Sequence, residues 1–138
     1  MAKVVLIDSG PLVAALRSRD FHHRWASGVL SGMKTPCLTC EAVISESFFL
    51  LDGDELCKER LIGLLDREVV KVAFDFEDSR SDVLRLMERY TDTPMSFADA
   101  CLVRMSETFR DCTVLTIDSD FLHYRRFGRQ VIPLLKPD

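Results

Sequence analysis

The chain contains 138 residues, of which 47% are hydrophobic and 29% are charged, and its formal net charge at pH 7 is −4. This length suits one domain with a substantial core, so we expect a single domain over residues 1–138. The negative balance argues against attachment to nucleic acid through overall charge, although local basic clusters can still bind phosphates.

The first apolar run has only four residues before Asp8, and no run approaches the length of a membrane span. We therefore expect a cytoplasmic protein without an export signal. The five cysteines are scattered, as is typical of free thiols in a reducing compartment. Cys37 and Cys40 form a C-x-x-C pair, but a structural zinc site needs a second pair. We interpret the pair as part of a short buried strand, with a redox dithiol as the alternative.

Apolar patterning predicts an alternation of strands and helices along the chain. The predicted strands cover residues 3–8, 37–39, 69–72, 113–118 and 131–133. The predicted helices cover residues 11–16, 22–30, 42–51, 54–65, 77–90 and 96–109. This order favours an α/β protein, a three-layer α/β/α sandwich around a central, mostly parallel sheet of about five strands.

Several acidic residues stand where a carboxylate has both a structural and a functional explanation. Asp8 and Asp118 each end a predicted strand, and in open parallel sheets ligands bind beyond the carboxyl ends of the strands. Asp99 follows Ser96 by three residues, which resembles a capping box at a helix start. The same position also directs a carboxylate into any cleft in front of that helix.

Glu46 is the single charge within the apolar helical stretch 42–51. By helical spacing it shares a face with four apolar residues, Ala42, Val43, Phe49 and Leu50. We expect that face to turn inward, where a carboxylate is costly unless it is paired, hydrogen-bonded or bound to a metal. The alternative is a position at the rim, in contact with water. Glu41 lies in the first turn of this helix, and we interpret it as structural because an acid there favours the helix dipole.

These carboxylates would form one acidic pocket if the fold brings them to the same edge of the sheet. Two carboxylates about 4 Å apart repel by roughly 4 kcal/mol at an effective dielectric constant near 20, so such a cluster needs protons or a cation. Ligands that are all oxygen favour a hard ion, Mg²⁺ or Mn²⁺. One or two such ions would activate water for the hydrolysis of a phosphodiester without a covalent intermediate.

The chain resembles the PIN-domain ribonucleases, and most closely the toxin component of VapBC-type toxin–antitoxin pairs. Four segments carry this resemblance: Val5–Ala14, Glu46, Ser96–Ala100 and Leu115–Phe121. The resemblance implies that an acidic quartet binds Mg²⁺ or Mn²⁺ and positions the attacking water; its members are Asp8, Glu46, Asp99 and Asp118. It further implies that Ser9 and Thr116 support the site and that Asp120 is an additional acid. It also implies an RNA substrate, a homodimer and inhibition by a small antitoxin protein.

Arg125, Arg126 and Arg129 form the most basic local cluster and are candidates for contacts with RNA phosphates. For any one of them, a solvated surface position is the simpler interpretation.

Two other enzyme classes that place acids at strand ends fit less well. A haloacid-dehalogenase-type phosphatase needs a second Asp two residues after Asp8, where Gly10 stands. A receiver domain needs a Lys at a late strand end, but no Lys occurs between Lys71 and Lys136. Two alternatives within the resemblance stay open: a catalytically silent PIN-fold interaction module, and a stand-alone nuclease of RNA processing.

Overall fold

A computed structural model describes residues 4–138. The strands are β1 (Val4–Ile7), β2 (Cys37–Thr39), β3 (Val70–Val72), β4 (Cys112–Leu115), β5 (Arg125–Arg126), β6 (Gln130–Val131) and β7 (Leu134–Leu135). The α-helices are α1 (Ser9–Leu16), α2 (His23–Ser31), α3 (Glu41–Leu50), α4 (Glu55–Asp66), α5 (Arg80–Arg89) and α6 (Phe97–Thr108). Two short 3₁₀ helices cover Glu77–Ser79 and Ser119–Leu122.

Five parallel strands form the central sheet, in the order β3-β2-β1-β4-β7. The strand β1 lies in the middle and pairs with β4 along its whole length, from Val4 opposite Cys112 to Ile7 opposite Leu115. Because the two strands run in the same direction and in this register, the residues that follow them emerge side by side at one edge. The predicted α/β class with a parallel five-stranded sheet is confirmed.

The sheet separates two hydrophobic clusters. Side chains of successive residues in a strand point to opposite faces. Leu6 accordingly packs in one cluster with residues of α5 and α6. Val5 and Ile7 pack in the other cluster with residues of α1, α2 and α4. Helices therefore cover both faces, which confirms the predicted three-layer arrangement.

The prediction of a final strand of the sheet at residues 131–133 is wrong. Gln130–Val131 pairs antiparallel with Arg125–Arg126 in a separate hairpin, and the fifth strand of the sheet is Leu134–Leu135. Val131 is 66% exposed. Pro133 has no N–H to donate, but its carbonyl accepts a hydrogen bond from the Val114 N–H at 2.9 Å, so the proline lies at the start of the edge strand.

Cys37 and Cys40 do not share a site. Cys37 packs in the cluster with α1 and α4, whereas Cys40 packs in the cluster with α5 and α6, on the other face of the sheet. Burial raises the pKa of Cys37 to about 11, which makes this thiol a poor nucleophile. Within residues 4–138 all five cysteines are free and buried.

None of the helices in the described part of the chain combines the length and the apolar character needed to cross a membrane.

Candidate active site

Asp8 lies at the carboxyl end of β1 and is only 5% exposed. Its Oδ1 accepts a hydrogen bond from the Ser9 N–H at 2.8 Å, and its Oδ2 accepts one from the Thr116 hydroxyl at 2.8 Å. Burial raises the pKa of Asp8 to about 7, although both hydrogen bonds favour the charged form. The negative charges of Asp99 and Glu46 raise this pKa further. Asp8 therefore exchanges a proton near neutral pH.

Thr116 connects Asp8 to Asp118. The Thr116 side chain is fully buried, and its oxygen accepts a hydrogen bond from the Asp118 N–H at 3.0 Å while its hydroxyl donates to Asp8. Asp118 is exposed and caps the short helix that follows, because its Oδ1 accepts from the Asp120 N–H at 2.9 Å. Asp120 is half-buried. The ends of β1 and β4 are thus joined by hydrogen bonds between residues 108 positions apart in sequence.

Asp99 has the capping role that the sequence predicted. It forms a complete capping box with Ser96 at the start of α6, and it is only 7% exposed. Burial raises the pKa of Asp99, hydrogen bonds from Tyr124 and Ser96 oppose the shift, and the charge of Asp118 adds to it. The cap therefore lies within electrostatic reach of the other carboxylates.

Glu46 does not lie on an inward-facing side of its helix, and that expectation is wrong. Val43 is buried, but Phe49 is 77% exposed and Leu50 is 42% exposed. The buried face of α3 is formed by Val43 and Ser47, which are one helical turn apart. Glu46 and Phe49 therefore lie next to this face and outside it. Glu46 is half-buried and lines an open groove between α3 and the start of α6, together with Phe49, Ser96 and Phe97. This is the rim position of the alternative interpretation.

Asp8 lies within electrostatic reach of Asp99 and Glu46, and Asp99 lies within reach of Asp118. However, no group of three or more His, Cys, Asp or Glu side chains in residues 4–138 is arranged so that it could hold a metal. Asp8 and Asp99 are the two most buried of these carboxylates, and burial makes their charged forms energetically costly. A bound hard cation would offset that cost. The chemistry of the four donors therefore fits Mg²⁺ or Mn²⁺, although the side chains are not gathered around a common point.

The basic cluster lies away from these acids. The Arg126 guanidinium donates to the carbonyls of Ser106 and Arg110, at 2.9 and 3.0 Å, around the carboxyl end of α6. The acid of α6 lies in its first turn, and a helix of 12 residues is about 18 Å long. Arg125 donates to two neighbouring backbone carbonyls, and Arg129 is exposed. None of these three arginines forms an ion pair with a carboxylate among residues 4–138, and their contact with RNA stays a prediction.

Two polar residues of the site were missed by sequence reasoning. The hydroxyl of Tyr124, a fully buried residue, lies 2.9 Å from Asp99 Oδ2. The Thr39 hydroxyl donates to the Ile7 carbonyl at 2.8 Å, next to Asp8. Both contacts join distant parts of the chain, 25 and 32 residues apart, so no local pattern signals them.

The sequence matches the PIN domain family over residues 5–126. The chain belongs to the PIN domain family. PIN domains are typically nucleases and generally use divalent metals. The fold is similar to that of Mycobacterium tuberculosis VapC20, described as a sarcin–ricin loop cleaving toxin, with a TM-score of 0.76 and 19% sequence identity. The similarity covers 94% of this chain and 99% of that chain. No curated protein sequence matches this PIN domain.

Proposed function

We propose that this PIN domain is a metal-dependent endoribonuclease. The observation that carries the proposal is the pair of buried carboxylates at one sheet edge, Asp8 and Asp99, both with raised pKa values. Perturbed carboxylates of this kind are concentrated at functional sites, because a purely structural core avoids their cost. The residues to which we assign the reaction are Asp8, Glu46, Asp99 and Asp118.

These four carboxylates would hold one or two divalent cations, with Asp120 as a further acid close by. A bound Mg²⁺ or Mn²⁺ supplies positive charge that activates water and stabilises the negative charge developing on the phosphodiester. Thr116 and the Ser9 N–H hold the two oxygens of Asp8, which keeps this carboxylate at the end of β1. Ser9 contributes through its backbone, whereas Thr116 contributes through its side chain.

RNA is the substrate that we propose, and hydrolysis at its backbone needs no covalent enzyme intermediate. The similarity of fold to a toxin that cleaves the sarcin–ricin loop supports RNA over DNA. Stem-loops of ribosomal RNA, including the sarcin–ricin loop, are therefore the first substrates to test.

We also propose a toxin role, with a homodimer as the active unit and a small antitoxin protein as the inhibitor. The exposed aromatic side chains of Phe49 and Phe97 support a protein partner, because they stand beside the acidic edge at 77% and 41% exposure. Light scattering of the pure protein tests the dimer. Co-expression with the product of a neighbouring small gene tests the antitoxin, which should copurify and abolish cleavage.

A catalytically silent interaction module is the second candidate. It is favoured by the finding that the described residues contain no ready-made set of three metal ligands. A silent module would bind its partner equally well after Asp8→Asn or Asp99→Asn and would cleave no RNA under any metal condition.

The deciding experiment compares RNA cleavage by the wild type, Asp99→Asn and Asp66→Asn. Asp66 is an exposed acid at the end of α4, so its variant matches the change of charge away from the site. Structured and single-stranded RNAs are incubated with Mg²⁺, Mn²⁺ or a chelator, and circular dichroism and thermal melts check folding. We expect metal-dependent cleavage by the wild type and Asp66→Asn and none by Asp99→Asn. Equal cleavage by all three would contradict the proposal, as would no cleavage by any.

A further inference from the structure

The phenol of Tyr124 contacts the Asp99 carboxylate from a separate part of the chain. Its Oη lies 2.9 Å from Asp99 Oδ2 and 2.7 Å from the Pro94 carbonyl oxygen. A phenol carries one proton, which these two acceptors share. Tyr124 thereby joins three segments: the stretch after β4, the loop of residues 91–95 and the first turn of α6.

Tyr124 and Ser96 restrain the same oxygen of Asp99. Oδ2 accepts from the Tyr124 hydroxyl and, at 3.3 Å, from the Ser96 N–H. Among residues 4–138 no protein donor contacts Oδ1. A carboxylate with one oxygen fixed by two donors has little freedom to rotate, and its second oxygen stays available for another ligand. This is the arrangement expected of a residue that supports a metal ligand from behind.

The ring of Tyr124 is itself held in place. It packs edge-to-face against Tyr90 and Phe121, with ring centroids 5.3 and 5.1 Å apart. The Tyr90 hydroxyl itself accepts from the Arg125 backbone N–H at 2.9 Å, so it is engaged away from Asp99. The phenol is therefore preorganised at Asp99, since its ring is held between two aromatic neighbours.

We infer that Tyr124 is a positioning residue of the acidic site, whose hydroxyl holds one oxygen of Asp99 so that the other can bind a divalent cation. This inference rests on the proposed function, because it assumes that Asp99 binds a cation. A purely structural tie between Tyr124 and the Pro94 carbonyl is the competing explanation. The two differ in what the loss of the hydroxyl does to metal affinity in a protein that stays folded.

The test compares Tyr124→Phe with Tyr90→Phe. Both variants keep an aromatic ring in the same stack and lose one hydroxyl, but the Tyr90 hydroxyl touches a backbone N–H and no carboxylate. Binding of Mn²⁺ is measured directly, by electron paramagnetic resonance of the free ion, with thermal melts on every variant. We expect Tyr124→Phe to weaken Mn²⁺ binding about 10-fold. Tyr90→Phe should stay within about twofold of the wild type.

Kinetics and a double-mutant cycle separate positioning from stability. We expect Tyr124→Phe to lower kcat with little change in KM for RNA, because Tyr124 is fully buried and its hydroxyl contacts Asp99. In an Asp99→Asn background, Tyr124→Phe should have no further effect on Mn²⁺ affinity, since the group that it positions is gone.

Three results would overturn the inference, and they are distinguishable from one another. If the wild type and Tyr124→Phe bind Mn²⁺ equally, Tyr124 does not position Asp99, while the proposed function stands. If both tyrosine variants weaken binding equally, the effect is structural. If the wild type binds no Mn²⁺ and cleaves no RNA, the proposed function fails and the role of Tyr124 fails with it.

Discussion

The two ends of helix α6 handle charge in opposite ways. At the first turn, Asp99 is buried with its pKa raised, and it lies within reach of the charge of Asp118. At the last turn, the Arg126 guanidinium satisfies two backbone carbonyls, where a positive charge also suits the helix dipole. Both ends carry the sign of charge that the helix dipole favours, but among residues 4–138 the ion pairs of α6 lie toward its carboxyl end.

The carboxyl end of α6 is balanced in several further contacts. Arg104 lies between Glu107 and Asp82, with N–O distances of 3.2 and 3.3 Å. The Phe127 ring packs under the guanidinium groups of Arg110 and Arg126, at 5.2 and 5.5 Å. Pairing of this kind serves stability, whereas acids that lack a cationic partner among residues 4–138 cost stability, and we propose that function retains them.

The largest expected effect is that of Asp8→Asn on catalysis. We expect RNA cleavage to fall about 1,000-fold, which corresponds to about 4 kcal/mol of transition-state stabilisation. The reason is the loss of a carboxylate charge at the centre of the acidic edge. Steady-state cleavage with Mn²⁺ measures it, with Asp66→Asn as the control of equal charge. A loss of cleavage activity of less than threefold would show that Asp8 does not take part in the reaction.

The second prediction concerns the pH dependence of stability without metal. The folded-state pKa of Asp8, about 7, lies above its ordinary value of 3.8, so this residue contributes stability below pH 4 that is lost as pH rises through 7. Between pH 5 and pH 8 we expect the free energy of unfolding to fall by roughly 2–3 kcal/mol. Urea unfolding at several pH values measures the slope.

Asp8→Asn is the matched control for that slope. The variant should lack the fall in the free energy of unfolding that Asp8 causes between pH 5 and pH 8. It should also be more stable than the wild type at pH 8. An unchanged slope in the variant would show that another group titrates.

A smaller effect is expected at the balanced end of α6. Arg126→Met keeps much of the side-chain volume and loses the hydrogen bonds to the Ser106 and Arg110 carbonyls. We expect a loss of about 1–2 kcal/mol in the free energy of unfolding. Because an arginine stays charged over this range, the loss should be the same at pH 5 and pH 8, in contrast to the effect at Asp8. A loss that varies with pH would contradict the comparison.

The smallest effect is expected from Arg129→Ala, which tests the predicted RNA contact of the hairpin. Arg129 is exposed, and Arg126 of the same hairpin contacts the carboxyl end of α6, opposite the end that carries Asp99. We expect KM for RNA to change less than about threefold. A tenfold increase that disappears at high salt would instead support a phosphate contact at this residue.

Much of the fold followed from local patterns. Apolar runs of the length of short strands predicted β1, β2, β3 and β4, and the start of α6 followed from Ser96. The prediction of the final strand is wrong because the local sequence pattern of Val131, Ile132 and Pro133 fits two pairings equally well. These residues could pair with the central sheet or with a hairpin. Only the exposed Val131 and the Pro133 carbonyl contact with Val114 decide between these pairings.

The sequence by itself determined four of the five strands of the sheet and the candidate acids, because strand ends and helix caps are properties of a few consecutive residues. Tertiary structure alone decided which hydroxyl holds which carboxylate. The contacts of Thr116 with Asp8 and of Tyr124 with Asp99 join residues 108 and 25 positions apart. The protonation of Asp8 was likewise decided by burial, since its raised pKa comes first from the surrounding protein and not from its neighbours in sequence.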